Sequence, residues 1–522
     1  MKRETHKPVK ILNFLKPKNM PKTDILIVGS GISGLFFAIK TARKRPDLSI
    51  CIMTKDMASN TNTQLAQGGI AVVTNQLKDS FEQHIKDTLK SGAGLCDEEI
   101  VKMVIEQAPE RLEELIALGA TFDKNQEGQW DLGLEGGHSQ HRILHHKDSS
   151  GLEIEKKLLS IITQTANIEL LENHQVIELN TETKRNEVNC TGAFFYDKTN
   201  NTIKYIRTRA IVLSTGGCGQ LFENTTNPAI ATGDGIAMAA RAGVEIEDMQ
   251  YMQFHPTALA YGKKNPLFLI SEAVRGFGAY IVNEEHKRFL FKYDLRGELA
   301  TRDIVSRAIS IEMRDTKTKH VYLDCRHLDQ TNFFKHFPSI SAHCNEIGLY
   351  PEKDLIPIVP AAHYQCGGIK VDHNGATTIK NLYAIGECAR TGLHGKNRLA
   401  SNSLLEALVF AHQASNNIDK TIAAFIFSSK ILLPKFSTVN LKNNYEPYLI
   451  LKKELQKLIT SFYASDEHDT HLAMLKIKML KNEAENLIEG NEITIPFIDF
   501  SNMLTTALII IKQYQPEKEH SY

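Results

Sequence analysis

Asp24-Ile25-Leu26-Ile27-Val28-Gly29-Ser30-Gly31-Ile32-Ser33-Gly34 is the stretch on which the fold turns. Its apolar run lacks polar alternation, as in a parallel strand covered on both faces. The G-x-G-x-x-G that ends it opens a helical stretch to about Lys44, and a second strand follows from Leu48 to Met53. Strand, glycine turn, helix and strand within about 30 residues make a dinucleotide-binding βαβ unit. The glycines let the backbone approach a pyrophosphate, whose charge then sits on the helix N-terminus. An acid ordinarily closes the second strand and holds the adenosine ribose. Here Thr54-Lys55 stand in that place. A lysine suits a phosphorylated ribose or a dinucleotide held another way, and the unit by itself leaves NAD(P) and FAD both open.

Two further apolar strands lie far downstream. Ala210 to Ser214 runs into Thr215-Gly216-Gly217, and Asn381 to Ile385 runs into Gly386-Glu387. Strands ending in glycine mark the carboxyl edge of a parallel sheet, where ligands bind. A nucleotide domain built from such distant segments is discontinuous, with a second domain inserted between about 241 and 360. Leu451, Leu455, Leu458 and Phe462 repeat at helical spacing, as do Met503, Ala507, Ile510 and Tyr514, with another helical stretch from Leu472 to Leu487 between them. The fold class expected is therefore α/β, with a Rossmann-like nucleotide domain at 22–240 plus 361–425, an inserted domain at 241–360 and a helical domain at 440–515. Residues 1–21 precede these as a basic arm.

Composition narrows the function. The 522 residues carry 61 Lys+Arg against 61 Asp+Glu, which argues against a nucleic-acid binder with a basic footprint. No apolar run approaches the roughly 20 residues of a membrane span; the densest, Leu508 to Ile511, is flanked by Thr506 and Lys512. The eight cysteines include no C-x-x-C pair, which points to a reduced cytoplasmic chain rather than a disulfide or zinc scaffold.

Four polar constellations sit at element edges. They are Glu135-Gly136-Gly137-His138-Ser139; Gln253-Phe254-His255-Pro256-Thr257; Ser271-Glu272 with Arg275 and Arg302-Asp303; and His363-Tyr364 with His394 to Arg398. Arginine forks match carboxylates in bidentate fashion, at about 1.5–3 kcal/mol for each charge-assisted bond. Two histidines, several arginines and a hydroxyl are the equipment for a small dianion. His138, His141, His145 and His146 crowd one segment, but no H-E-x-x-H or cysteine accompanies them, and no metal site is expected. Cys366 and Cys388 read as small buried residues.

These pieces resemble the succinate dehydrogenase/fumarate reductase flavoprotein family. The matching motifs are A-Q-G-G-I-A (66–71), T-G-D-G-I-A-M-A (232–239), Q-F-H-P-T-A-L (253–259), R-G-E-L-A-T-R-D-I-V (296–305), P-A-A-H-Y (360–364) and H-G-K-N-R-L-A-S-N-S-L-L-E (394–406), and the likeness spans roughly residues 22 to 425. It implies FAD, a capping domain over the flavin and a C-terminal helical domain. Covalent members attach the flavin through a histidine where this chain has Asn62; an amide cannot form that bond, so FAD is expected to be non-covalent. Within the family the chain looks most like the branch that oxidises L-aspartate to iminoaspartate at the start of bacterial NAD synthesis, passing electrons to O2, which becomes H2O2, or to fumarate. A soluble fumarate reductase or succinate dehydrogenase-type flavoprotein is the alternative. Quinolinate synthase, which consumes the imine, is a candidate partner.

The resemblance also assigns roles. Glu135 would face the substrate amino group. Arg398 and His363 would clamp one carboxylate, beside Tyr364; His255, Gln253 and Ser271 would hold the other. Arg302 would exchange a proton at the methylene carbon, supplied through Glu272 and Arg275. For FAD, Gly29, Ser30, Gly31, Ile32, Ser33 and Gly34 form the phosphate turn, and Lys55 stands where the aspartate-oxidising branch also has lysine. Asn62, Thr63, Gln64, Leu65, Ala66, Gln67, Gly68 and Gly69 would wrap the flavin. Val176, Asp234, Glu387, Ser403 and Leu404 complete the expected contacts. The chain departs from the family pattern at Phe277, where glutamate is usual, at Lys396, where a small residue is usual, and in the Gln515–Lys518 tail.

Overall fold

Residues 9–10, 21–262, 265–428, 430–431, 438–439, 446–465, 467–488 and 492–514 are described by the computed structural model. The arm expected at 1–21 and the 515–518 tail fall almost wholly outside them. Strand β1 (Lys22–Val28) is followed by helix α1 (Ile32–Lys44) and strand β2 (Ile50–Met53), in the order the glycine motif predicts. β2 pairs with β3 (Ile168–Leu171), and a meander of β4 (His174–Lys184), β5 (Glu187–Asp197) and β6 (Thr202–Leu213) returns to β1. The sheet order is β3-β2-β1-β6-β5-β4, and Leu382–Ala384 joins β6 in parallel.

Both faces of this sheet are covered, which explains the unbroken apolar run in β1. Ile25 and Ile27 pack with α1 and with Leu405 and Phe410 of a later helix. Leu26 and Val28 turn the other way, into a cluster holding Leu451, Leu455, Met503 and Ile510 from the C-terminal helices. That helical unit therefore supplies the second layer of the nucleotide domain. Between them lies α2 (Asp234–Ala242), which starts at Gly233 in the left-handed region at φ +78°.

The inserted unit has its own core, including Val274, Ile281, Leu323 and Phe333. Its antiparallel sheet has the order β7 (Met252–Leu259), β10 (Ile356–Gln365), β9 (Val321–Asp324), β8 (Tyr280–Val282). Helix α3 (Arg302–Thr316) carries Ser306, whose hydroxyl donates to Phe254 O on β7 at 2.9 Å. Ile246–Glu247 pairs with Gly368–Ile369 in a separate small sheet, whereas β10, paired with β7, runs on to Gln365. The His363-Tyr364 motif thus sits on a cap strand rather than in the nucleotide domain.

Beyond α4 (Asn402–Thr421), the expected C-terminal helices are α5 (Glu446–Ala464), α6 (Thr470–Asn486) and α7 (Ile495–Gln513). By length and composition α7 is long and apolar enough to cross a membrane, a point the run-by-run reading missed because polar residues interrupt it. Those polar residues face protein: Asn502 and Thr506 bond Asp234 and Gly233, and most of the helix is buried.

Phe277 is accommodated by an aromatic cluster. Its ring lies edge-on to Phe333 and Phe337, with centroids 6.3 and 5.5 Å away. The family glutamate would put a carboxylate among these rings. Phe277→Glu is expected to destabilise the protein by about 1–3 kcal/mol, measured by urea unfolding, because the lost contacts and the desolvated charge add.

Candidate active site

A cleft of about 400 Å³ runs from the glycine turn, between the nucleotide domain and the cap, to a cluster of guanidinium and imidazole groups. At one end, the turn is shaped by steric necessity. Gly29 has φ +111°, and a Cβ there would lie 2.2 Å from Ser214 O; one on Gly34 would lie 2.6 Å from Gly29 O. The motif's first and third glycines therefore fit strand to helix, and Gly34 itself does not border the cleft. Gly29, Ser30, Gly31, Ile32 and Ser33 do. Thr63 Oγ1 accepts from Ile32 N at 3.0 Å and so ties the 62–69 segment to the turn.

Lys55 borders the same end, yet its charge is already matched. Its ammonium lies 2.9 Å from Asp234 and 2.9 Å from Asp499, and it donates to Thr232 Oγ1 at 3.0 Å. Burial opposes the charged form, but the two carboxylates outweigh it and raise the lysine pKa. Lys55 is thus neutralised by protein carboxylates and is not free to pair with a phosphorylated ribose.

Midway, Asn62 Nδ2 donates to Glu387 at 2.9 Å, and Gln365 N donates to the same carboxylate at 3.1 Å. Burial raises Glu387 to about 7. Leu65, Ala66, Gln67, Gly68, Gly69, Val176, Ser403 and Leu404 also line the cleft, whereas Gln64 does not. Gln67 donates to Leu269 O of the cap at 2.6 Å, bridging the two units.

At the far end, β7, α3, β10 and the turn before α4 converge. Arg302, first residue of α3, donates from Nε to Glu272 at 2.5 Å, and Arg275 donates to the other oxygen of that carboxylate at 2.5 Å. Burial would raise Glu272, but Arg302 and Arg275 outweigh it and hold the carboxylate below its ordinary range. Arg398 stacks over the Tyr364 ring at 4.3 Å and donates to Ser403 Oγ. Burial and then the charge of Arg302 lower Arg398 to about 10. His255 and His363 face each other with ring centroids 5.0 Å apart. Burial, then nearby guanidinium charge, pushes both well below the usual imidazole range, so they are neutral hydrogen-bonding groups. His363 Nδ1 lies 2.8 Å from Thr226 Oγ1.

Gln253 and Arg275 do not reach the cleft. The Gln253 amide is consumed inside the wall: Oε1 accepts from Arg302 at 3.0 Å and from Arg398 at 3.2 and 3.3 Å, while Nε2 donates to Asn397 at 2.7 Å and to Arg398 O at 2.8 Å. It is a spacer between arginines rather than a surface group. Tyr364 OH is likewise taken, donating to Glu406 at 2.9 Å.

Glu135 enters the same end. It is 3% exposed and accepts from Ser401 Oγ at 2.6 Å. A Cβ on Gly68 would lie 2.8 Å from its carboxylate, so the glycine makes room for it. Burial, then repulsion by Glu272, raises its pKa. Ser401 and Thr226 are neighbours of these groups that sequence reasoning did not single out. Ser401 could have been suspected inside R-L-A-S-N-S, but its φ of +61° is visible only in three dimensions.

The residues present suit FAD. Along the cleft wall, Gln67 Oε1 and Gln175 Oε1 are buried acceptors without a partner. The glycine turn, a backbone shape that can cradle a phosphate, lines the same cleft as the arginine and histidine cluster. Comparison with known proteins agrees. A family model described as "FAD binding domain" matches residues 24–404. The chain is 39% identical over 514 residues to the chloroplastic L-aspartate oxidase of Oryza sativa subsp. japonica, covering 94% of this chain and 79% of that protein. It is 37% identical over 509 residues to the L-aspartate oxidase of Vibrio cholerae, covering 95% and 94%. It is 43% identical to the chloroplastic enzyme of Arabidopsis thaliana, spanning only 63% of that longer protein. Among solved structures, E. coli quinol fumarate reductase FrdA superposes with a TM-score of 0.83 at 27% identity, covering 95% of this chain and 89% of that one. The chain belongs to the L-aspartate oxidase family of FAD-dependent oxidoreductases.

Proposed function

We propose that this chain oxidises L-aspartate to iminoaspartate, the first step of NAD biosynthesis, with O2 as acceptor, giving hydrogen peroxide, or fumarate, giving succinate. The observation that carries the reading is a second buried carboxylate, Glu135, which shares the far end of the cleft with Arg302, Arg398 and Glu272 and, unlike Glu272, accepts from a serine hydroxyl rather than from a guanidinium. Arg398 and His363 hold one substrate carboxylate; His255 and the Ser271 hydroxyl hold the other. Gln253 fixes the spacing of Arg302 and Arg398 from behind. These contacts orient the Cα–H and exclude water from it, which supplies several kcal/mol on the order of an effective-molarity effect. Bound FAD supplies the hydride acceptor.

Glu135 pairs with the substrate ammonium, the one charge that separates aspartate from succinate. Its raised pKa follows from burial and from Glu272, and a cationic nitrogen beside it favours the ionised form. With fumarate as substrate, Arg302 donates a proton to the olefinic carbon opposite the one that receives hydride, and it is reprotonated by a proton relayed across the Glu272 carboxylate from Arg275. An arginine with its own buried carboxylate at 2.5 Å has a proton path that an isolated guanidinium lacks.

A fumarate reductase with dissociable flavin is the second reading, favoured by the similarity to FrdA. Oxygen consumption and peroxide release with L-aspartate, set against reduced-dye oxidation by fumarate, decide between them. Peroxide from aspartate is expected; fumarate reduction without any aspartate oxidation would sink the first reading. Glu135→Gln is expected to lower kcat/KM for aspartate by about 10–100-fold, the worth of one charge-assisted bond, while sparing fumarate reduction or improving it, since a neutral amide no longer repels a dianion. Equal losses with both substrates would contradict the ammonium role.

Acidity gives an independent check. A carboxyl with a raised pKa is ionised only above that value, so KM for aspartate should fall as pH rises through it. Succinate, lacking the ammonium, should show no such improvement when measured as a competitive inhibitor. The flavin should also be dissociable, because Asn62 carries an amide committed to Glu387 rather than an imidazole. Acid precipitation is expected to leave a yellow supernatant and a colourless pellet.

A further inference from the structure

One end of the cleft is finished by a helix that does not belong to the nucleotide domain. Asp499, near the start of α7, accepts from Gln175 Nε2 at 2.6 Å and pairs with Lys55 at 2.9 Å. Gln175 and Lys55 border the cleft; Asp499 stands behind them. The Gln175 side chain is thereby fixed by its nitrogen, and its oxygen is buried with no donor. A buried acceptor left unpaired is costly, and a site that tolerates one is built to receive a donor.

The position of Gln175 says which donor. His174 N donates to Thr54 O at 2.9 Å, so Gln175 lies beside the end of β2. That is where βαβ units ordinarily place the acid that accepts a hydrogen bond from the adenosine ribose, and where this chain has Thr54-Lys55 instead. A carboxylate there would meet Asp234 and Asp499 at close range. A neutral amide oxygen serves as acceptor without adding a third negative charge.

We propose that Asp499 is a positioning residue of the cofactor site, holding the Gln175 amide with its oxygen ready for a ribose hydroxyl and making FAD retention depend on the C-terminal helical unit. The inference rests on the FAD assignment.

Flavin affinity, rather than turnover, tests it. Protein stripped of FAD is titrated with FAD and followed by flavin fluorescence, for the wild type, Asp499→Ala, Gln175→Leu and the double variant. Gln513→Ala is the control, because Gln513 anchors the far end of α7 through Met249 N and Ile246 O. Asp499→Ala and Gln175→Leu are each expected to raise the FAD Kd about three- to tenfold, the worth of one neutral hydrogen bond. The double variant should lose little more than either single one, as expected for residues acting through one contact. Gln513→Ala should bind within about twofold of wild type by the same additivity reasoning. Unchanged affinity in Gln175→Leu overturns the proposal even if Asp499→Ala fails to fold. So does an equal loss in Gln513→Ala, which would make helix docking alone responsible. Wild-type protein that takes up no FAD would instead sink the flavin assignment itself.

Discussion

Gln253 Oε1, a single neutral oxygen, is shared by the guanidinium groups of Arg302 and Arg398. Two buried cations on one acceptor repel, and Arg398 is lowered first by burial and then by the charge of Arg302. Glu272 offsets Arg302 and Arg275, but Arg398 has no carboxylate within ion-pairing distance among the described residues. The far end of the cleft therefore carries a surplus of positive charge held in fixed geometry. A dicarboxylate offsets such a surplus, and the protein meets the cost of assembling it in folding rather than at the moment of binding. The histidines add donors without adding charge, since burial keeps them neutral.

This arrangement explains why three separate units meet at one cleft. Arg302 and Gln253 come from the cap, Arg398 from the turn before α4, and the phosphate cradle from the β1–α1 turn. The nucleotide sheet cannot stand alone either, because the face formed by Leu26 and Val28 is covered in part by the C-terminal helices. Cap and helical unit thus do different work: the first completes the anion pocket, and the second completes the sheet core and the wall around Lys55.

The sequence made the architecture legible wherever one local pattern had one physical meaning. The βαβ unit was readable because an unbroken apolar strand, a glycine turn and a helix of ordinary length have few other solutions. The stripes at Leu451–Phe462 and Met503–Tyr514 were readable because helical periodicity survives without context. Contacts between distant segments were not. Gln253 belongs to a motif that fits an anion site, yet nothing local reveals that both ends of its amide point into the wall. Lys55 was ambiguous for the same reason: its partners Asp234 and Asp499 lie 179 and 444 positions away.

Glu135 shows how little separates the activities this fold can support. The similarity to a fumarate reductase chain at a TM-score of 0.83 describes a scaffold, and scaffolds of one shape host several chemistries. A carboxylate placed among arginines that bind dianions weakens dianion binding, so it has no purpose in a site for succinate alone. Its burial against Glu272 makes it costlier still when ionised. That expense is offset only by a ligand with a cation at the same place, and Ser401, which donates to it at 2.6 Å, supplies too little by itself. The discrimination in the proposed reaction accordingly resides in an unfavourable group: Glu135 penalises ligands without an ammonium as much as it attracts those that have one.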